Sequence, residues 1–394
     1  MIKKYAFLLL CLTTINVGFS QTVNTVGLSK FSQISVITSG PGEALYEKFG
    51  HTAIRVKDPV LQLDLLYNYG IFDFNDPNFY MNFTKGYMQY KLARYPFYLS
   101  LKDAQQEQRW VKEQILNLTQ EQRNTFFQFL ENNALPENAS YFYDPYFDNC
   151  ATRPRDIIQK ITGDHLVFKS DFVKEDVSLR QLMNREIHPN TWGSLGINIA
   201  LGNRLDKIAT PIEYLYLPDY VFKALEASKI LKEEKEENLV QKTTTLVDFE
   251  EKESKSDTFS PFLIVLLIAL VGVFITYTDF KKSKRTKWLD FVLFFTTGIL
   301  GLLIVFLWFF TNHSTAPNNF NFLWAFAPNL LVAFLLLKSK PPKWVSMYGK
   351  VLLVFMLLIP IVWLTKTQLF TYPLIPLFVL LGVRYGYLQK ALKR

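Results

Sequence analysis

Five apolar runs in the last third of the chain constrain its fold more than anything else: 261–278, 288–310, 322–337, 351–364 and 369–383. With tilt and flanking aromatic residues, runs of this length can cross a bilayer. The connections between them alternate in charge. The first carries Lys281, Lys282, Lys284, Arg285 and Lys287, the third carries Lys338, Lys340, Lys343 and Lys350, and the tail carries Arg384, Lys390, Lys393 and Arg394. The second holds only His313 and the fourth only Lys366. Basic loops stay on the cytoplasmic side. Residues 260–394 are therefore expected to form an all-α membrane domain of five transmembrane helices with a cytoplasmic C-terminus. Everything before them is expected outside.

The N-terminus supports the same orientation. Met1-Ile-Lys-Lys is followed by a short apolar stretch, and Gly18 and Ser20 precede Gln21. This pattern predicts a secretory signal peptide over 1–20. The alternative, an uncleaved anchor, has an apolar core short for a span. Leu8-Leu-Leu before Cys11 lacks the small residues of a lipoprotein processing site. The expected location is a bacterial inner membrane, with the N-terminal domain in the periplasm.

Charge follows the same division. The formal net charge of +8 separates into +2 over 1–20, −6 over 21–259 and +12 over 260–394. The basic excess belongs to membrane loops, so nucleic acid is not an expected partner. A hydrophobic content of 49% excludes general disorder.

Residues 21–228 predict an α+β domain built from an antiparallel sheet plus helices. β-branched and alternating segments mark strands over 33–38, 51–56, 61–69 and 86–97. Capping patterns at Ser100-x-x-Asp103 and Thr119-x-x-Gln122 predict helices over 101–116 and 120–134, and a further helix begins at Cys150. Residues 229–259 carry dense charge without apolar periodicity and predict a solvated linker.

Past the signal segment one cysteine remains, Cys150, in the stretch Phe147-Asp-Asn-Cys-Ala-Thr-Arg-Pro. It is either a buried structural thiol or a nucleophile. Asp148 or Asn149 can cap a helix starting at the cysteine. There the helix dipole lowers a thiol pKa, and free N–H groups can hold an oxyanion. Of the three histidines in this part, His165 and His188 sit in loop contexts, whereas His51 opens a strand. His51 is either a hydrogen-bonded structural residue or the general base for Cys150. Asn68 and Asp64, on the next strand, are the candidates to orient it. No zinc-type ligand spacing accompanies them, so no metal and no cofactor is expected.

These residues carry a resemblance. Thr38-Ser-Gly-Pro-Gly through Phe49-Gly-His-Thr-Ala-Ile-Arg-Val, Tyr67-Asn-Tyr-Gly-Ile-Phe-Asp-Phe, Asp148-Asn-Cys-Ala-Thr-Arg and Trp192-Gly-Ser-Leu-Gly resemble the periplasmic domain of the Lnb-type lipoprotein N-acyltransferases of Bacteroidota. The likeness continues through His313 and Asn318-Asn-Phe-Asn-Phe-Leu-Trp in the membrane part. The order of histidine before cysteine is also similar to circularly permuted NlpC/P60 papain-like thiol enzymes. The resemblance implies Cys150 and His51 as the catalytic pair; the family's spacing for a third polar residue falls here on Leu63, a departure, and of the nearest polar groups, Asp64 and Asn68, Asn68 is preferred. It implies Arg55 and Arg153 at motif positions, either binding a phosphate headgroup or forming structural ion pairs. His313, in an external loop, is a candidate substrate contact or simply loop polarity. The implied reaction passes an acyl chain from a membrane phospholipid, through a thioester on Cys150, to the N-terminal amine of a diacylated lipoprotein, in contact with the lipid bilayer. Two other classes fit the same residues: a thiol hydrolase acting on peptidoglycan or phospholipid, and a non-catalytic envelope module.

Overall fold

The computed structural model of the protein describes residues 27–392. The expected signal peptide, 1–20, lies outside the described residues. The first part runs β1 (Gln33–Ser39), β2 (His51–Asp58), β3 (Leu63–Ile71), α1 (Phe79–Lys85), β4 (Gln89–Pro96), α2 (Phe97–Gln106), β5 (Val111–Leu116), α3 (Gln120–Asn133), β6 (Ser140–Phe142) and α4 (Thr152–Thr162). It continues with β7 (Leu166–Val167), α5 (Leu179–Glu186), α6 (Trp192–Ala200), α7 (Pro211–Tyr214), α8 (Pro218–Ala227), β8 (Lys229–Lys232), β9 (Lys235–Asn238) and β10 (Val240–Val247).

Seven of these strands form one sheet in the order β10-β5-β1-β2-β3-β4-β6, antiparallel at every pairing. Alternation along the strands gives the sheet two apolar faces. Ile34, Val36, Ile54, Val56, Tyr67 and Tyr69 face the core shared with α3, α4 and α8. Ile37, Ala53, Leu66 and Val111 face Phe97 and Ala104 of α2. His51, Ala53 and Arg55 lie on the α2 side, and α4 approaches from the other.

Two expectations are corrected here. The single helix expected over 101–116 is α2 followed by β5. α2 starts directly after Pro96, ahead of the Ser100 capping pattern. Val111–Leu116 alternates, and it is buried between β1 and β10, where Glu113 reaches a buried arginine. The 229–259 segment is not a solvated tether. Glu233 and Glu234 both take positive φ, 46° and 67°, in the tight turn between β8 and β9. The threonine-rich β10 then forms the edge of the main sheet beside β5. Beyond β10 the chain stays pinned: Trp110 Nε1 donates to Glu251 at 3.0 Å, and the Trp192 N–H donates to Asp257 at 2.8 Å. High charge content concealed a strand whose polar side chains face solvent. The sheet domain therefore extends to about residue 247, beyond the expected boundary at 228.

The second part contains α9 (Pro261–Lys282), α10 (Lys287–Phe309), α11 (Asn329–Leu336), α12 (Trp344–Leu364) and α13 (Ile375–Ala391). Three of them, α9, α10 and α12, are long and apolar enough to cross a membrane. The other two, α11 and α13, have eight and 17 residues and fall short of that length. α11 rises only about 12 Å, because the 322–337 run is broken at Pro328. Among the described residues of this part there are five α-helices, and three have spanning length. Arg384 of α13 is fully buried, held by Asp290 at 2.6 Å and Asp279 at 2.8 Å. This ion-paired group ties α9, α10 and α13 together.

The two parts are joined by hydrogen bonds as well as by chain. Leu195 and Ile199 of α6 belong to the apolar core of the helical part. The loop after α10 lies along the sheet domain. Asn319 Nδ2 donates to the Ile199 carbonyl at 2.7 Å, and the Gly202 N–H donates to the Thr315 carbonyl at 2.8 Å.

Candidate active site

Cys150 precedes α4, at the end of a tightly closed loop. Asp144 and Asp148 exchange backbone hydrogen bonds at 3.0 and 3.1 Å across that loop. Asn149, not Asp148, caps the helix: its Oδ1 accepts from the Ala151 and Thr152 N–H groups at 2.8 and 2.9 Å. Its Nδ2 donates to the carbonyls of Pro145 and Tyr216 at 2.7 and 2.9 Å, so the cap is locked in place. A cap of this kind contributes about 1 kcal/mol, and here it also fixes the thiol at the helix start.

His51, the first residue of β2, stands beside the Cys150 thiol, close enough for each group to shift the other's ionisation. Its Nε2 lies 2.6 Å from Asn68 Oδ1, which leaves Nδ1 for the sulfur. Asn68 Nδ2 in turn donates to the Tyr95 hydroxyl at 2.8 Å. Sulfur, imidazole, amide and phenol thus form one line of contacts. Asp64, the other candidate for the third position, is occupied elsewhere.

Burial by itself raises a thiol pKa. That effect is outweighed by the attraction of the His51 imidazolium, its hydrogen bond, and the N–H groups of Thr52 and Cys150 itself, so the thiol is held below its ordinary value. Burial likewise lowers an imidazole pKa, but the Cys150 thiolate and the bonds to Cys150 and Asn68 hold His51 above its ordinary value. Both directions favour a thiolate–imidazolium pair. The helix-start N–H groups of Ala151 and Thr152 are consumed by Asn149. The backbone N–H groups that act on the sulfur are instead those of Cys150 itself and of Thr52 on β2.

Gly70 makes the approach of α4 to the sheet possible. It takes φ +91° at the irregularity between Asn68 and Ile71 in the β3–β4 pairing. A Cβ there would stand 3.2 Å from the Tyr143 ring and 3.7 Å from Cys150 Cβ. The position therefore calls for a glycine on both backbone and packing grounds.

The two arginines are ion-paired. Arg55 is 7% exposed. It donates to both carboxylate oxygens of Asp64 at 2.7 Å and to Glu113 at 3.0 Å, and it stacks over Phe97 at 3.9 Å. It lies under α2, engaged in the structural ion pair that was the alternative to headgroup binding. Arg153 pairs with Asp148 at 2.7 Å and lies over the Tyr141 ring at 3.9 Å, but it keeps partial exposure beside Cys150. The nearby hydroxyls of Tyr69 and Tyr141 are buried without a hydrogen-bond partner among the described residues. His313 does not join the line of contacts at the sulfur. Burial lowers its pKa, outweighing its hydrogen bonds to the Thr84 and Phe83 backbone, and its ring stands edge-on to Phe83.

Sequence reading did not identify Thr52, Gly70, Tyr95 or Tyr143 as site residues. Strand register brings Tyr95 to Asn68, and no local pattern carries that register.

No curated protein and no solved structure matches the chain. Residues 22–185 match the Lnb N-terminal periplasmic domain and residues 252–394 match the Lnb transmembrane domain. With both domains present in order, on either side of the strands and strap that join them, the chain belongs to the Lnb family of membrane proteins.

Proposed function

We propose that the protein is a thiol acyltransferase that moves an acyl chain from a phospholipid to the N-terminal amine of a lipoprotein. The observation that carries this reading is the Cys150–His51–Asn68 line, with two N–H groups at the sulfur. The thiolate attacks an ester carbonyl of the donor. The Cys150 and Thr52 N–H groups stabilise the oxyanion. The ester C–O bond breaks, the His51 imidazolium gives its proton to the leaving alkoxide, and a lysophospholipid departs from a Cys150 thioester. The amine of the lipidated N-terminal cysteine then attacks the thioester. It loses a proton to His51, an amide forms, and the thiolate is restored.

An amine acceptor suits a thioester intermediate, since amines attack thioesters readily and the cysteine thiolate is a good leaving group. Arg153 is the remaining candidate for a headgroup phosphate. The order of a strand histidine before a helix-start cysteine supports a circularly permuted papain-like arrangement. The basic loops 281–287 and 338–350 support a periplasmic sheet domain and a cytoplasmic C-terminus. A membrane-tethered enzyme meets two membrane-bound substrates at raised effective concentration. The test is made in cells whose only copy carries Cys150→Ser. Their lipoproteins are expected to gain a free N-terminus by mass spectrometry. Full N-acylation, in cells without a second such enzyme, would contradict the proposal.

A further inference from the structure

α1 presents Tyr80, Met81 and Phe83 to the outside, 68%, 57% and 48% exposed. Nothing in the sheet domain covers them, and a seven-residue helix is too short to be stable by itself. Its C-terminal end is held by the loop that leaves the membrane helix α10. The Asn312 N–H donates to the Lys85 carbonyl at 2.9 Å, and His313 hydrogen-bonds the backbone of Phe83 and Thr84. Carbonyls of the last turn, left over by any helix end, are thus satisfied from the membrane domain. Gly86, at φ +76°, closes the helix so tightly that a Cβ would lie 2.6 Å from the His313 nitrogen. α10 ends at Phe309, three residues before Asn312, and Phe309 and Phe310 are themselves exposed. α1 is therefore fixed level with the end of α10, and a bilayer crossed by α10 would have its surface there, the depth at which tyrosine and other amphipathic rings are favoured.

Behind α1, rings lead towards the sulfur. Phe79 stacks on Phe72 with centroids 5.6 Å apart, Phe72 lies 5.0 Å from Tyr90, and Tyr90 lies 4.6 Å from Tyr143. Tyr143 is the ring that packs with Cys150 around Gly70. Beside this run is a cavity of about 470 Å³, lined by Phe72, Phe79 and Tyr90 together with polar groups that include Asp73, Asp76 and Lys91. Aromatic rings and charged groups lining one cavity suit an amphiphile lying across an interface.

We propose that α1 is an interfacial helix seated in the leaflet next to the sheet domain, and that it forms the lip over which an acyl chain from that leaflet reaches Cys150 past Phe72, Tyr90 and Tyr143. The acyl-chain part rests on the acyl-transfer reading; the seating of α1 does not. The test uses full-length protein in phosphatidylcholine nanodiscs, with Cys11 and Cys150 changed to serine. An environment-sensitive label is attached at Met81→Cys or, separately, at Tyr80→Cys. Val60→Cys, in the turn at the far end of β2 and β3, serves as the reference position. Labels on α1 are expected to be quenched by doxyl lipids at a depth of about 5–10 Å into the headgroup–acyl boundary, with blue-shifted emission, and the Val60 label only by aqueous iodide. Aqueous quenching at all three positions, without doxyl quenching, would overturn the proposal. The readout needs no catalysis, so a failure of acyl transfer leaves it unaffected.

Discussion

The Nε2 atom of His51 lies 2.6 Å from Oδ1 of Asn68, a residue on the neighbouring strand and 17 positions further along the chain. The amide fixes the plane of the ring, and Tyr95 fixes the amide. Asn68→Ala is expected to slow acylation of Cys150 by about 10–100-fold, the range for a misplaced catalytic group. Tyr95→Phe should act in the same direction with a smaller effect. Single-turnover acylation measures both, and an unchanged rate in Asn68→Ala would remove Asn68 from the machinery.

Reactivity of the thiol should follow the ion pair. The Cys150 thiol is held below its ordinary value and His51 above its own. At any given pH a larger fraction of the sulfur is then thiolate than in an ordinary cysteine, and that fraction falls as pH drops through the depressed thiol value. His51→Ala removes the counter-charge and leaves burial, which raises the thiol. Its iodoacetamide profile should shift to higher pH, with slower labelling at pH 7. Coincident profiles for the two proteins would mean that the imidazole does not activate the sulfur.

Arg55 separates a structural from a binding role. Its guanidinium is buried between Asp64 and Glu113, although Asp64 is partly solvated. Arg55→Ala leaves Glu113 with an uncompensated charge and is expected to cost about 2–3 kcal/mol, below the range for a fully buried pair because solvent screens Asp64. Thermal unfolding should register that loss. The dependence of acylation on lipid headgroup should stay as it is. A changed headgroup preference without a lowered melting temperature would restore Arg55 to the binding site.

The residues differ in how far their roles could be read in advance. Cys150 and His51 stand out because a single unpaired cysteine and a strand-opening histidine are chemically conspicuous. The sequence prefers Asn68 to Asp64 without separating them; the β2–β3 register, with Arg55 opposite Leu66, sets each side chain on its neighbours. Such pairing is a property of two strands together, so neither strand alone encodes it. β10 was hidden by its own composition: Lys242, Thr243, Thr244 and Thr245 suit a solvated edge strand, and the same residues suit a tether. The 322–337 run reads as a span by composition, but Pro328 and a buried asparagine network at Asn319 and Asn321 turn it back towards the sheet domain.

The most direct test is the intact mass of the purified full-length protein after incubation in phospholipid nanodiscs. The predicted result is a gain equal to one fatty acyl group, located on Cys150, absent from Cys150→Ser and His51→Ala, and discharged by a peptide bearing a diacylated N-terminal cysteine. A folded protein that gains no mass, or gains it at another residue, would contradict the acyl-enzyme on which the account rests.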